Sequence, residues 1–360
     1  MLKNIHIKNY RGIKDLKIDD FKRINLFVGD NNSGKTSVLE AILLGTAPNI
    51  LPIFHIINFR EFGLHANLAQ VDLSNQKLWQ EAEYLIYEKN IKNGFTINSK
   101  FAKRTLELKV ELKNEVELFP LTQEGLKGRS IFTAQDQINS LVACYSENNK
   151  PKTKLGFSRN GSYQDLDYSK DELKISIIQN RVIKAFELSY NEELKQLIDS
   201  NSEQEIVDVL SKIDPKIKWI KKSGDEIVCD IGKTSLPLKY MGDGIIQILN
   251  ILLKIRNVKN GILLIDEIEN CLHWKSQEAL WHAIFEACEK FNVQIIATTH
   301  SSDIIKSLDK IYRKVTKNNK KFGEDNIRIF RIEKDDNGSQ AIEFNAKMIE
   351  YLVEDNGEAR

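Results

Sequence analysis

Between Leu26 and Ile42 the chain reads LFVGDNNSGKTSVLEAI. An apolar strand runs into a Gly-rich turn, and an amphipathic helix follows. The turn GDNNSGKT, Gly29 to Thr36, fits GxxxxGK[ST] in full. Its glycines let backbone N–H groups turn inward around a phosphate. The helix that starts near Lys35 points its N-terminus at the same charge. Lys35 then reaches the β- and γ-phosphates, and Thr36 ligates Mg²⁺. The alternative is a chance match in a turn; the strand before and the helix after argue against it. Gly45 and Pro48 are read as the stop of the helix.

Three further stretches extend the site. GILLIDE is a buried strand ending in Asp266 and Glu267. A carboxylate at the carboxyl end of such a strand is placed to hold Mg²⁺, and its neighbour to polarise an attacking water. The alternative is a strand end capped by solvated acids. IIATTHS ends a third buried strand with His300, a candidate sensor of the γ-phosphate or a strand-end His satisfied by backbone. YMGDGIIQILNILL opens a long apolar helix with Gly242, Asp243 and Gly244. One nucleotide does not need two cradles in one chain, so this loop is expected to meet the γ-phosphate held by a second copy. An ordinary Gly-rich helix entry is the other reading.

The rest of the pattern is α/β. Buried strands alternate with helices around these motifs, and the stretches FTINSK and TLELKVELKNEVELF alternate as antiparallel strands. Residues 145–170 are polar and read as a long surface loop or hairpin; residues 171–213 read as helical, broken near Ser200. IRIFRIEK and AIEFN flank DDNGSQ, a hairpin turn, and AKMIEYLVED reads as a closing helix. Net charge is +1, from 52 Lys+Arg against 51 Asp+Glu, so no global field draws the chain to nucleic acid or membrane. The 4 Cys are scattered without a CxxC, the usage of a reducing compartment. No signal peptide and no run of about 20 apolar residues is apparent, so a cytoplasmic protein without a membrane span is expected.

These stretches together resemble the ATP-binding-cassette ATPase head of the SMC, RecF and OLD-nuclease branch. More narrowly, they are similar to bacterial ATPases of the AAA_15 and AAA_21 type. The residues that carry the likeness are IKNYRGIKDLKI, NLFVGDNNSGKTSVLEAILL, YMGDGIIQILNILL, LLIDEIENCLHW and QIIATTHSSDII. The resemblance implies a P-loop ATPase head with a mostly parallel central sheet, an antiparallel β lobe and a short helical insertion. It divides the chain into residues 1–135, 136–223 and 224–360: the N-terminal half-head, a loop and helical insertion, and the C-terminal half-head. It also implies ATP and Mg²⁺ as ligands. Gly29, Asn31, Asn32, Ser33, Gly34, Lys35, Thr36 and Ser37 would hold phosphate. Thr36 and Asp266 would hold the metal, Glu267 would be the catalytic base, and Lys35 and His300 would complete the catalytic set. Gly242, Asp243 and Gly244 would act in trans within an ATP-sandwich dimer, with a higher oligomer open. Glu269 to His273 would touch the partner. The Q-loop glutamine is open among Gln70, Gln76 and Gln80.

The departures are equally specific. Tyr240 and Met241 stand where the signature serine usually precedes the glycines, and Cys271 stands where relatives commonly have Gly. No sustained heptad array is present, and 171–213 is too short for a long coiled arm. Only 60 residues follow His300, with no acidic metal cluster of a nuclease. The resemblance therefore narrows to a stand-alone head whose effector, a nuclease or toxin, is a separate chain, as in bacterial anti-phage defence. Other classes stay in view: a transporter motor subunit, a small-molecule P-loop kinase, and a nucleotide-holding scaffold with little turnover. DNA contact is open through Lys212 to Lys222 around Trp219, and through KVTKNNKK, against a reading of both as solvated surface. Trp274, Trp281 and Phe285 read as core.

Overall fold

The computed structural model describes residues 1–46, 56, 82–115, 138–158, 161–166, 174–178, 192–224, 226–232, 234–271, 276–318, 325–335 and 338–349. Seven antiparallel strands form one sheet: β1 (Leu2–Tyr10), β2 (Ile13–Ile18), β4 (Phe95–Phe101), β5 (Thr105–Glu115), β6 (Ile138–Glu147), β7 (Lys150–Ser158) and β8 (Gly161–Leu166). Their order is β2-β1-β4-β5-β6-β7-β8. A second sheet has the order β16-β15-β3-β14-β13-β9. Its members are β3 (Ile24–Val28), β9 (Ile175–Ile178), β13 (Ile262–Ile265), β14 (Gln294–Thr298), β15 (Ile327–Asp335) and β16 (Gly338–Asn345). All its pairings are parallel except the β15–β16 hairpin at one edge. A small antiparallel sheet holds β10 (Trp219–Ser223), β11 (Glu226–Asp230) and β12 (Ser235–Pro237).

The parallel strands are buried on both faces, and their side chains divide by the two-residue period of a strand. On β13, Ile262 and Leu264 join the core shared with the antiparallel sheet, while Leu263 and Ile265 join the core on the helical side. That helical side is built by α2 (Gln204–Ile213), α3 (Asp243–Asn257), α4 (Gln277–Phe291) and α5 (Ser302–Asn318). The other core encloses α1 (Lys35–Thr46), whose Val38, Leu39, Ala41 and Ile42 lie between the two sheets. A helix apolar nearly all round belongs in such a position. The antiparallel sheet is fastened to α1 by Arg11 in the β1–β2 turn, whose Nε lies 2.6 Å from the buried Glu40 carboxylate. It is fastened to the parallel sheet by buried Gln294, which accepts from the Leu2 N–H at 2.7 Å and donates to the Leu2 carbonyl at 3.0 Å.

Several expectations change here. Of the two readings of residues 145–170, a hairpin rather than a loop holds for the described residues 145–158 and 161–166. Asn148 and Asn149, both at positive φ, turn β6 into β7, and β8 pairs with β7. Cross-strand hydrogen bonding to a sheet with one buried face overrides the polar composition. The first division of the chain, between 135 and 136, thus falls inside the antiparallel sheet. Residues 175–178 are an edge strand parallel to β13 rather than the start of a helix, because a four-residue apolar run suits either period and the neighbouring strand decides. The break near Ser200 stands between a helical turn at 192–199 and α2. Gly45 does not stop α1. It lies inside the helix, where a Cβ would fall 2.5 Å from Ile97 Cγ2 and 2.6 Å from Ser99 Oγ. Its role is close approach of α1 to β4. Helical residues 346–349 begin the expected closing helix, whose remainder lies outside the described residues, as do Pro48, Trp274 and the three candidate Q-loop glutamines.

Candidate active site

The site gathers at the carboxyl ends of β3, β13 and β14. β3 ends at Val28, and Gly29 follows at φ 133°. A Cβ on Gly29 would sit 2.5 Å from the carbonyl oxygen of Ile332 on β15, so the turn passes too close to that backbone for a side chain. Asn31 and Asn32 are exposed, Gly34 sits at φ 105°, and Ser37 is half-buried in α1. Ser33 is 6% exposed, and its hydroxyl lacks a partner among the described residues. Lys35 is buried, and its ammonium donates to the carbonyls of Gly29 at 2.8 Å and Asp30 at 2.7 Å. Burial lowers its pKa, while Glu269, Asp266, Asp30 and Glu267 pull it back up.

Across the site, Thr36 Oγ1 lies 3.2 Å from both oxygens of Asp266. Thr298 binds the acid pair together: its hydroxyl donates to Asp266 Oδ1 at 2.7 Å and accepts the Glu267 N–H at 2.7 Å. Burial raises the Asp266 pKa, and the hydrogen bonds from Thr298 and Thr36 oppose that rise. Glu267 occupies φ 52°, a left-handed conformation that a glutamate adopts only when its surroundings hold it there. Its carboxylate accepts from Asn270 Nδ2 at 2.7 Å and stands 3.9 Å from His300 Nε2. The His300 backbone N–H donates to Glu269 Oε1 at 2.6 Å, and the other oxygen of Glu269 is buried without a hydrogen-bond partner among the described residues.

Lys35, Thr36, Asp266, Glu267 and His300 thus converge from three strand ends. Thr298 joins them without having been anticipated, and Glu269 and Asn270, expected only to touch a partner, bond to His300 and Glu267 within the same chain. The signals were present in ATTH and DEIEN, but hydroxyls and amides at strand ends carry no role until a partner is seen. The donor set fits Mg²⁺: a carboxylate and a hydroxyl in line, an orphaned buried Glu269 oxygen nearby, and no sulfur or imidazole in the first position. No group of three or more His, Cys, Asp or Glu suited to a metal occurs among the described residues. Mg²⁺ held by one carboxylate, one hydroxyl and nucleotide oxygens does not require one.

Gly242 and Gly244 stand apart. Gly242 caps α3 at φ −60° and ψ 141°, and a Cβ there would meet nothing within 4 Å. Neither backbone angle nor internal packing calls for glycine. Tyr240, two residues before, is 69% exposed. Asp243 is the first residue of α3. No hydrogen bond joins this loop to Lys35, Thr36 or Asp266 among the described residues.

Of the basic stretch, Lys212 pairs with Glu286 and Lys222 with Asp199, while Lys221 lies over the Trp219 ring at 4.9 Å. Part of its charge is therefore balanced locally. Trp281 and Phe285 are core residues, and no described helix is long and apolar enough to cross a membrane.

Comparison with known proteins places this architecture. The family described as AAA ATPase domain, AAA_15, matches residues 1–97 and 55–305. An "ATP/GTP phosphatase" of Helicobacter pylori is 23% identical over 338 residues, covering 87% of this chain and 89% of its own. The DNA replication and repair protein RecF of Shewanella woodyi is 26% identical over 263 residues, covering 67% of this chain and 66% of its own. Among solved structures, the SMC head domain from Thermotoga maritima matches with a TM-score of 0.49 at 11% identity, covering 95% of this chain and 98% of that one. With the family model matched over most of the chain, the chain belongs to the AAA ATPase domain family and is an ATPase.

Proposed function

We propose that the chain is an ATP-driven switch: two copies close face to face on ATP and reopen on hydrolysis, and the cycle gates a separate effector. One observation carries the reading. Lys35, Thr36, Asp266, Glu267 and His300 form a catalytic half-site, while Gly242 is exposed and no described residue of its own protomer explains it. A glycine with open space around it and ordinary dihedrals suits close approach from outside. The phosphates held by a partner's Gly29–Thr36 turn are that approach.

In this reading the Gly29–Ser33 amides and Lys35 bind the triphosphate, and Asn31, Asn32 and Ser37 complete its surroundings. Thr36 and Asp266 would hold Mg²⁺, which supplies charge neutralisation for the leaving phosphates. Glu267, held by Asn270, orients and deprotonates water. His300, held through its backbone by Glu269, contacts the terminal phosphate and registers its loss. Lys35 leaves the Gly29 and Asp30 carbonyls to reach the phosphates, so the turn opens as it loads.

The effector in this reading is a separate chain, a nuclease or toxin in phage defence or DNA metabolism. Any DNA contact is assigned to the Lys212–Lys222 strand region, where Lys216, Lys218 and Lys221 remain for phosphate.

The test is Glu267→Gln with Mg·ATP. Binding without turnover traps the closed state, so the mass by light scattering doubles with ATP and returns on its removal. A variant that stays at one mass and hydrolyses ATP at the wild-type rate sinks the reading.

A further inference from the structure

Beside the phosphate turn lies a cleft of about 490 Å³. One wall is the turn Gly29–Ser33; the other is the β15–β16 hairpin, with Arg331, Glu333, Lys334 and Gln340. In the sequence these four residues are read only as parts of a hairpin. The strand order explains what the cleft can receive. β14 and β13, with the acid pair at the end of β13, lie on one side of β3, and β15 and β16 lie on the other. A triphosphate whose terminal phosphate faces Asp266 and Glu267 must send its sugar the opposite way, over β15. The buried, unpartnered Ser33 hydroxyl lines the cleft along that path.

The chemistry of the hairpin wall is specific. Glu333 and Gln340 are directly opposite in the β15–β16 register. The Glu333 carboxylate is ion-paired with Arg331, whose Nε lies 2.7 Å from Oε1, and its Oε2 accepts from Gln340 Nε2 at 3.2 Å. A carboxylate so fixed, with its side chain still 37% exposed, is an acceptor for a pair of hydroxyl donors. Lys334 adds a cation at the same rim, its ammonium 3.6 Å from where a Cβ on Gly12 of the β1–β2 turn would lie. Among the described residues no aromatic side chain lines the cleft, so none of them stacks on a base there. Among the parts of a nucleotide, only the ribose offers a vicinal pair of hydroxyls.

Resting on the ATPase reading above, we propose that the β15–β16 hairpin is the nucleoside-end subsite: Glu333, held by Arg331 and Gln340, accepts the ribose 2′- and 3′-hydroxyls, and Lys334 faces the α-phosphate. Selectivity then falls on the sugar rather than on the base.

The test uses the full chain in the Glu267→Gln background, so that nucleotide is not consumed. Affinities for Mg·ATP and Mg·2′,3′-dideoxy-ATP are measured by titration calorimetry, with and without Glu333→Ala. Hydrogen bonds to a charged acceptor make ATP bind about tenfold more tightly or better than the dideoxy form. Glu333→Ala brings that ratio to near one. Glu333→Gln, which keeps the shape and removes the charge, brings it below about threefold and carries the test should the alanine variant fail to fold. Equal affinity of the Glu267→Gln parent for both nucleotides, or an undiminished ratio in the Glu333 variants, overturns the subsite alone. Binding of neither nucleotide overturns the ATPase reading and the subsite with it.

Discussion

Asp266 shows how much of this site is set by single side chains. It is a carboxylate largely removed from water, and burial raises its pKa against the pull of two hydroxyl donors. The desolvation of its charge costs the fold more than the interaction with Lys35 and the two hydroxyls returns. Replacing it by Asn keeps the volume and one acceptor for Thr298 while removing the charge. Without ligands at pH 7, Asp266→Asn is expected to melt at a higher temperature than wild type. Adding Mg·ATP should reverse the order, because only the carboxylate gains from the metal. Thermal melts with and without Mg·ATP check both halves; a variant melting below wild type in the absence of ligand contradicts the first. Glu40 is the contrasting case, buried but paired with Arg11 at 2.6 Å.

At the scale of elements, α1 does two jobs. Its first turn delivers Lys35 and Thr36, and its body is packed between two sheets. Gly45 lets the last turn press on β4. Adding a methyl there would gain at most about 1 kcal/mol in helix propensity. Overpacking against the fully buried Ile97 and Ser99 costs about 1–3 kcal/mol. The second effect wins, and a larger side chain widens the gap. Gly45→Val is therefore expected to lose about 2 kcal/mol or more, read as a lower urea midpoint at unchanged slope. An unchanged midpoint would mean that α1 moves away from β4 at no cost.

For the whole molecule, the proposed division of a composite site between Lys35 of one copy and Gly242 of the other has a direct consequence. Lys35→Ala removes the phosphate grip, and Gly242→Asp puts a carboxylate where a partner's phosphates approach. Each homodimer is expected to lose ATPase activity about a hundredfold or more. Mixing the two makes heterodimers in which one of the two composite sites carries both defects and the other neither. Activity should recover toward one quarter of wild type at equal mixing: half of the dimers are mixed, and each holds one intact site of two. No recovery on mixing would place the Gly242 loop outside a shared site.

Local chemistry was legible wherever a motif is contiguous. GDNNSGKT, LLIDE and ATTH each lie within one strand and the turn after it, and the alternation and apolar runs around them set the strand and helix periods. The sequence by itself therefore determined the α/β class, the phosphate turn and the acid pair, because each is written in neighbouring residues. Only the tertiary structure decided what depends on residues far apart in the chain. A polar segment became β6–β8 because a hydrogen-bonded sheet edge accepted it, and Ile175–Ile178 became a strand because β13 lay beside it. Thr298, 32 residues from Asp266, acquired its role by lying within 2.7 Å of it. The β15–β16 hairpin became a wall of the cleft beside the Gly29–Ser33 turn because β15 pairs with β3. Propensity acts over a few residues, whereas pairing and burial act across the whole fold, and the second settles each position on which the first is indifferent.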